Sequence, residues 1–215
     1  MTTENTPPRK PANKLMFGGA AMAIVIGLGL FAFYSTADNP AEALVCKSSK
    51  ETIAKMKPFA SGELAAFQLS DTPKDLSDLT FKDKDGKDVT IADWKGRTVL
   101  LNMWATWCAP CRREMPALQQ LQVDLGGENF EVVPVSVDLG DDSKPKAFYK
   151  KIKLDKLPFY ADGTMEIFSR LKKLGLAFGM PTTVIVDKEG CSLGVLNGPA
   201  EWASDDAKAL VRAAF

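Results

Sequence analysis

The sequence predicts an α/β fold in which a central mixed sheet is flanked by helices, and two observations lead to it. Residues 98–104 and 130–137 are apolar runs typical of strands that are buried on both faces. Between these runs, apolar residues recur at helical spacing at Met115, Leu118, Leu121 and Leu125. This order makes the two strands parallel neighbours. The second observation is a pair of strand patterns at residues 182–187 and 192–196, which predicts an antiparallel hairpin.

One transmembrane helix is predicted to precede this domain. Residues 15–34 carry no charge, and a helix of this length would span about 30 Å, the thickness of a bilayer's hydrocarbon core. Three basic residues precede the segment, whereas acidic residues follow it. The positive-inside rule therefore predicts that residues 1–14 are cytoplasmic and that the rest of the chain is exported. A cleavable signal peptide is the alternative, because residues 35–37 are small.

The remaining residues divide into a tether and a domain. Residues 35–78 combine a polar linker with a weak helical pattern, which we interpret as a tether that packs on the domain. Residues 79–215 form the domain itself. Its other predicted elements are a hairpin around the turn at 83–87, helices at 146–153 and 165–174, and a final helix that Ser204 caps and that ends near residue 214.

The composition excludes several classes of protein. The formal net charge is zero, so the chain lacks the basic character of a nucleic-acid-binding protein. It contains no histidine, which excludes a cysteine–histidine protease, a serine–histidine–aspartate triad and any zinc site that needs imidazole. We expect neither a metal ion nor a cofactor in the active site.

Four cysteines carry the chemistry that the composition allows: Cys46, Cys108, Cys111 and Cys191. Two of them are close in sequence and the other two are far apart, so a redox pair plus a structural disulfide is the first partition to consider. A four-cysteine zinc site is the competing interpretation. It is disfavoured because Cys46 and Cys191 do not form a second CxxC motif.

Cys108 and Cys111 lie between the strand pattern and the helix pattern, with Ala109 and Pro110 between them. At the start of a helix, Cys108 would lie among unpaired N–H groups at the positive end of the dipole, which lowers the pKa of its thiol. We expect Cys108 to attack a partner's disulfide, and the more buried Cys111 to resolve the resulting mixed disulfide. Pro110 suits the first helical turn. The alternatives are half of a zinc site or a static disulfide.

Residues 104–111 (WATWCAPC) resemble the active-site segment of the thioredoxin superfamily, and therefore imply a thioredoxin-like fold. Three further motifs and the predicted anchor resemble the TlpA-type membrane-anchored thiol:disulfide interchange proteins, a TlpA/ResA/CcmG-like group. These motifs are CRREMP at 111–116, GMPT at 179–182 and GPAEW at 198–202. The resemblance implies a protein-disulfide reductase of the inner membrane, single-pass, with its C-terminal domain in the periplasm.

The same resemblance implies roles for other residues. Met180-Pro181 would be a cis peptide that faces Cys108, in a loop that holds the partner's backbone and keeps metal ions from the thiols. Trp107, together with Ala109 and Pro110, would support the cysteine pair. Cys46 and Cys191 would form the second disulfide of TlpA-type domains, which pins the tether to the hairpin near the end of the domain.

The proton acceptor of the reaction is not at the position that thioredoxin uses. Six residues before the first cysteine, where thioredoxin has a buried acid, this chain has Asn102. Glu114 matches the glutamate that TlpA- and ResA-like proteins place near their thiols, so we expect it to modulate proton transfer. The alternative is a surface glutamate that only favours the helix dipole.

Two rival activities fit the sequence less well. A peroxiredoxin needs a Thr or Ser three residues before its cysteine and a proline seven before, where this chain has Ala105 and Leu101. A copper-binding module of the Sco type, which would not be an enzyme, needs a CxxxC motif and a histidine. This chain has neither.

Within the redox class, the resemblance implies a reductant that receives electrons from a membrane donor. Strong exported oxidants carry Pro-His between the cysteines, whereas this chain has Ala-Pro. A TlpA-like role implies a Sco-like copper chaperone and cytochrome oxidase subunit II as partners. A ResA-like or CcmG-like role implies apocytochrome c instead.

Overall fold

The structure is a computed structural model that describes residues 46–215. The predictions for residues 1–14, for the anchor at 15–34 and for cleavage at 35–37 lie outside the described residues. Within residues 46–215, no helix is both long enough and apolar enough to cross a membrane.

Eight strands of the described chain form one sheet, in the spatial order β1-β8-β7-β4-β5-β6-β2-β3. The strands are β1 Gln68–Leu69, β2 Thr80–Lys82, β3 Asp88–Thr90, β4 Thr98–Trp104, β5 Phe130–Ser136, β6 Tyr160–Ala161, β7 Thr182–Val186 and β8 Ser192–Asn197. β4 pairs with β5 in parallel and with β7 antiparallel, so the predicted mixed sheet is confirmed. The antiparallel β7–β8 hairpin is confirmed as well.

Helices pack on this sheet. In residues 46–215 the α-helices are α1 Ser49–Met56, α2 Ala109–Leu125, α3 Ser143–Ile152, α4 Glu166–Lys173 and α5 Asp205–Arg212. Three short 3₁₀ segments, which sequence patterns did not predict, cover Lys57–Phe59, Gly62–Leu64 and Ile91–Trp94. The predicted cap of the last helix is confirmed, because Ser204 Oγ accepts the N–H of Ala207 at 3.2 Å.

The core is centred on β4, whose seven residues are all buried. The apolar face of α2, with Met115, Leu118 and Leu121, is buried too. α2 ends at Leu125 with Gly126 as its C-cap. The predicted strand–helix–strand unit therefore exists, and it fixes the start of α2 at the carboxyl end of a fully buried strand.

Part of the expected tether belongs to the sheet. β1 pairs with β8, so the sheet begins at Gln68, before the expected domain boundary at residue 79. Apolar side chains from this region are buried in the core, namely Met56, Leu64, Phe67 and Leu76. Their burial makes the segment an integral part of the fold, because each large apolar side chain removed from water contributes about 1.5–3 kcal/mol.

The two cysteine pairs lie at opposite ends of the sheet. Cys108 follows the carboxyl end of β4, and the antiparallel β7 begins at that same end, directly after Pro181. Cys191 lies in the turn between β7 and β8, at the other end. The topology thus brings the Met180-Pro181 loop to the CxxC motif and keeps the second pair away from it.

Candidate active site

Cys108 is the N-cap residue of α2, and its Sγ is bonded to the Sγ of Cys111. The backbone N–H of Cys111 also donates to Cys108 Sγ, over 3.3 Å. Cys108 keeps 6% of its surface exposed, whereas Cys111 keeps none. An incoming thiol or disulfide can therefore reach Cys108 and not Cys111.

The loop before Cys108 is held by Asp138, which sequence reasoning missed. Its carboxylate accepts the N–H of Thr106 at 2.8 Å and the hydroxyl of Thr106 at 2.5 Å. The guanidinium of Arg112 donates to the carbonyl of Thr106 from the other side. Asp138 follows the carboxyl end of β5, the parallel neighbour of β4. Because parallel strands end at the same edge of a sheet, this position could have been found from the predicted topology.

The Met180-Pro181 peptide bond is cis in the structure. The loop around it is held by Asn197 on β8, another residue that sequence reasoning missed. Asn197 Oδ1 accepts the N–H of Phe178 and the hydroxyl of Thr182, both at 2.9 Å. The Thr182 hydroxyl has a second acceptor within reach, the carbonyl oxygen of Gly179 at 2.6 Å. The loop is therefore held in place by hydrogen bonds to Asn197 on β8.

Cys108 and this loop lie on the two sides of an apolar cleft of about 410 Å³. Its lining includes Cys108, Pro110, Phe168 and Met180. Trp107 and Phe178 stand at its rim with 61% and 73% of their surfaces exposed. Two large aromatic side chains left in water beside a reactive sulfur are typical of a surface that binds another molecule.

Glu114 is buried one turn beyond Cys111 on α2, which contradicts the surface-glutamate alternative. Its Oε1 accepts the side-chain N–H of Asn102 at 2.9 Å, and its Oε2 accepts the backbone N–H of Ala200 at 3.2 Å. Burial raises the pKa of Glu114 from 4.5 to about 7, although the hydrogen bonds from Asn102 and Ala200 oppose the shift. Glu114 can therefore gain or lose a proton near neutral pH.

The motif at residues 198–202 covers Glu114. Ala200 supplies a backbone donor, and the indole of the fully buried Trp202 lies close enough to lower the carboxyl's pKa. That indole N–H has no partner at normal hydrogen-bond geometry within the described residues, and neither has Oδ1 of Asn102. Asn102 is held in turn by Thr183, whose hydroxyl oxygen lies 2.9 Å from Nδ2. Polar groups from β4, β7 and the 198–202 loop thus enclose one titratable carboxyl.

The second cysteine pair lies in a different environment. Cys46 and Cys191 are bonded to each other and are almost completely buried. The N–H of Cys191 donates to Asp187 at 2.9 Å, and Asp187 also accepts the hydroxyl of Ser49 on α1 at 2.6 Å. Two separate disulfides at opposite ends of the sheet are incompatible with a single four-cysteine zinc site.

Comparison with known proteins identifies the family. The profile of the AhpC/TSA family matches residues 72–191, which is more than half of the chain. The chain belongs to the AhpC/TSA family. The match contains β2 to β7, the CxxC motif and both edges of the apolar cleft.

Individual relatives of this AhpC/TSA protein have a narrower activity. Thiol-disulfide oxidoreductase ResA of Bacillus thuringiensis subsp. konkukian is 32% identical over 125 residues, covering 58% of this chain and 69% of that protein. ResA of Oceanobacillus iheyensis is 28% identical over 187 residues, covering 85% and 80%. The crystal structure of a thiol:disulfide interchange protein from Chlorobium tepidum TLS has a TM-score of 0.56 and 27% identity, covering 67% of this chain and 98% of that one.

These relatives confirm the resemblance to the TlpA/ResA/CcmG-like group and the thioredoxin-like α/β fold. Together with the CxxC disulfide, they make this AhpC/TSA protein a thiol-disulfide oxidoreductase that acts on disulfide-bearing substrates.

Proposed function

We propose that the protein is a dedicated reductant of disulfides in the partners that assemble metal centres: a Sco-like copper chaperone and cytochrome oxidase subunit II. The observation that carries this proposal is the asymmetry of the CxxC pair, in which Cys108 is reachable and hydrogen-bonded by a backbone N–H while Cys111 is enclosed. The resemblance to TlpA-type proteins supports the choice of partners. An inner-membrane anchor at residues 15–34 and a periplasmic domain belong to the same proposal.

In the first step, the Cys108 thiolate attacks one sulfur of the partner's disulfide. The partner's S–S bond breaks, a new S–S bond joins the partner to Cys108, and the partner's other sulfur leaves as a thiolate that takes up a proton. The N–H of Cys111 stabilises the attacking thiolate, because a backbone donor at a helix start favours negative charge on sulfur.

In the second step, Cys111 loses its proton and attacks Cys108 Sγ. The mixed disulfide breaks, the partner's second sulfur leaves and is protonated, and two electrons have passed to the partner. The enzyme ends with its Cys108–Cys111 disulfide, which a membrane donor then reduces.

Glu114 serves as the proton acceptor for Cys111 in this scheme. The two residues are three positions apart on α2 and therefore lie on the same face of the helix. A carboxyl with a pKa of about 7 is ionised in part of the molecules at neutral pH and can take the thiol proton during the second step.

The cis Met180-Pro181 loop holds the partner's backbone across the apolar cleft, and Trp107 and Phe178 cover the side chains beside the partner's disulfide. Met180, Trp107 and Phe178 line the cleft next to Cys108, and Pro181 directly follows Met180. Binding on both sides of the sulfur would align the three sulfur atoms of the exchange, which accelerates the reaction by positioning.

A trapping experiment tests the proposal. The full-length Cys111→Ser variant lacks the second step, so we expect it to accumulate mixed disulfides through Cys108, visible on non-reducing gels and identifiable by mass spectrometry. The matched control is Cys108→Ser/Cys111→Ser, in which every such band should disappear. A Sco-like copper chaperone or cytochrome oxidase subunit II in the trapped fraction supports the proposal.

Other trapped proteins would change the conclusion. If apocytochrome c were the only partner trapped, the function would lie in cytochrome c maturation instead. Recovery of only abundant, unrelated proteins would contradict a dedicated reductant of any kind.

A further inference from the structure

A second groove lies beside the CxxC loop, on the side away from the apolar cleft. It has a volume of about 420 Å³ and is formed between the start of α2 and one face of α3. Three cations line it: Arg112, Lys144 and Lys151. Its floor contains the half-buried apolar side chains of Phe148 and Ile152. We call this surface the basic groove.

The basic groove is continuous with the active site. Thr106, which lines its inner end, is two residues before Cys108. Arg112 directly follows Cys111, and its guanidinium is held by the carbonyl oxygen of Thr106. A chain segment that presents its disulfide to Cys108 therefore has the basic groove on one side of the reacting sulfur and the apolar cleft on the other.

Across residues 46–215, none of the three cations of the basic groove takes part in an ion pair. The acidic residues near the start of α3 offset part of this charge, because the pKa of Asp141 is lowered by hydrogen bonds from Ser143 and also by the charge of Lys144. Asp142 pairs with Lys146 at 2.7 Å, and the carboxylate of Asp141 accepts the N–H of Ser143 at 3.0 Å. Asp138 is hydrogen-bonded to Thr106 at the inner end of the groove.

Helical spacing concentrates this charge on one face of α3. Lys144, Phe148 and Lys151 are separated by four and three residues and therefore share a face. Lys150 is on the same helix but lines a different cavity, together with Tyr149 and Leu154. The groove is thus a local arrangement and not a general property of a lysine-rich helix.

We propose that the basic groove docks an acidic segment of the disulfide-bearing partner, next to the cysteine that Cys108 attacks. The proposal rests on the function proposed above and specifies its substrate class: protein disulfides with acidic residues on one side and apolar residues on the other. Charge complementarity carries it, because a cationic surface beside a reactive sulfur raises the local concentration of acidic partners and orients them.

Short disulfide-containing peptides provide the test. Three peptides share one intramolecular disulfide and one apolar residue on its first side, and carry three Asp, three Ser or three Lys on the other; a second set exchanges the sides. The reduced full-length protein, in a non-ionic detergent, is mixed with each peptide, and the initial rate of peptide dithiol formation is measured. Each rate is divided by the rate of the same peptide with dithiothreitol, which removes the effect of charge on the peptide's own sulfurs.

We expect the order acidic, neutral, basic at low salt, with the three rates converging as salt screens the charges. In Lys144→Glu/Lys151→Glu, the rate for the acidic peptide should fall by about tenfold, since steering by surface charge changes association rates by about that factor or more. The matched control is Lys150→Glu/Lys156→Glu, which changes net charge equally at exposed lysines outside the groove. It should lose less than about twofold.

The outcomes separate this proposal from the function on which it rests. Hydroxyethyl disulfide is small and uncharged, so its reduction rate should be the same in wild type and both variants. Equal normalised rates for the three peptides, or an equal loss in the control variant, would overturn the basic groove while leaving the reductant intact. If wild-type protein reduced neither the peptides nor hydroxyethyl disulfide, the proposed function itself would fail.

Discussion

The chain contains two disulfides whose surroundings have little in common. Cys108 and Cys111 are three residues apart, at the start of a helix and beside an apolar cleft. Cys46 and Cys191 are 145 residues apart, buried, and joined at the far end of the sheet. The chemistry of the bond is the same in both pairs, so their different uses must come from what the fold places around the sulfur atoms.

The difference lies in access and in the direction of the nearby N–H groups. At the first pair, the N–H of Cys111 donates to Cys108 Sγ, which favours that sulfur as a thiolate. At the second pair, the N–H of Cys191 donates to the carboxylate of Asp187. The surroundings of Cys108 stabilise the thiolate that forms when its disulfide breaks. The surroundings of Cys46 and Cys191 instead stabilise the fold around an intact disulfide.

The largest expected effect is on exchange chemistry. Cys108→Ser should reduce the rate of exchange with a peptide disulfide to the uncatalysed background, because a serine hydroxyl does not supply the thiolate that the first step needs. Cys46→Ala/Cys191→Ala is the comparison variant and should keep the wild-type exchange rate at a temperature where it remains folded. If removal of the second pair slowed exchange as strongly, the division of labour between the two disulfides would be wrong.

The second expected effect is on stability. Here removal of the Cys46–Cys191 disulfide, not of the Cys108–Cys111 disulfide, should have the larger effect. In the chain-entropy model, removing a cross-link that closes a loop of 145 residues lowers the free energy of unfolding by about 5 kcal/mol. Removing one that closes a loop of three lowers it by about 1.6 kcal/mol. Urea unfolding of Cys46→Ala/Cys191→Ala and Cys108→Ala/Cys111→Ala, at one pH and temperature, measures both. Similar losses in the two variants would show that the second disulfide does not act as a long-range constraint.

The active pair could be predicted from the sequence because its signals are local. An apolar run, a CxxC motif and a helical pattern are contiguous, and each has a direct structural meaning for β4, Cys108 and α2. β1 and β6 have only two residues each, which is too short for any periodicity to show. These strands were missed for that reason.

The groups that complete the site are brought there by the fold and not by the motif. Asp138, Asn197 and Trp202 reach it from β5, β8 and the loop before α5, over long separations in sequence. Glu114 was named because of a resemblance, yet its position on α2 alone fits a surface or a buried residue equally well. Its burial depends on the 198–202 loop that covers it, and a helical pattern carries no information about that loop.

The smallest expected effect concerns the pH dependence that Glu114 gives to the active end of the molecule. In the oxidised protein the cysteines do not titrate, so the carboxyl can be observed by itself. Its pKa is about 7 in the folded protein and 4.5 as the reference value. Between these values the folded state keeps a proton that the unfolded state releases, so the free energy of unfolding should fall as pH rises from 4.5 to 7, by up to about 3 kcal/mol, and then level off.

Glu114→Gln removes this titration while preserving the shape of the side chain. The difference in unfolding free energy between wild type and variant should therefore change steadily between pH 4.5 and 7 and be constant above it. In the reduced protein, the same substitution should remove an inflection near pH 7 from the rate at which Cys111 resolves the mixed disulfide. A stability difference without any change in that rate profile would make Glu114 a buried carboxyl that affects folding and takes no part in the exchange.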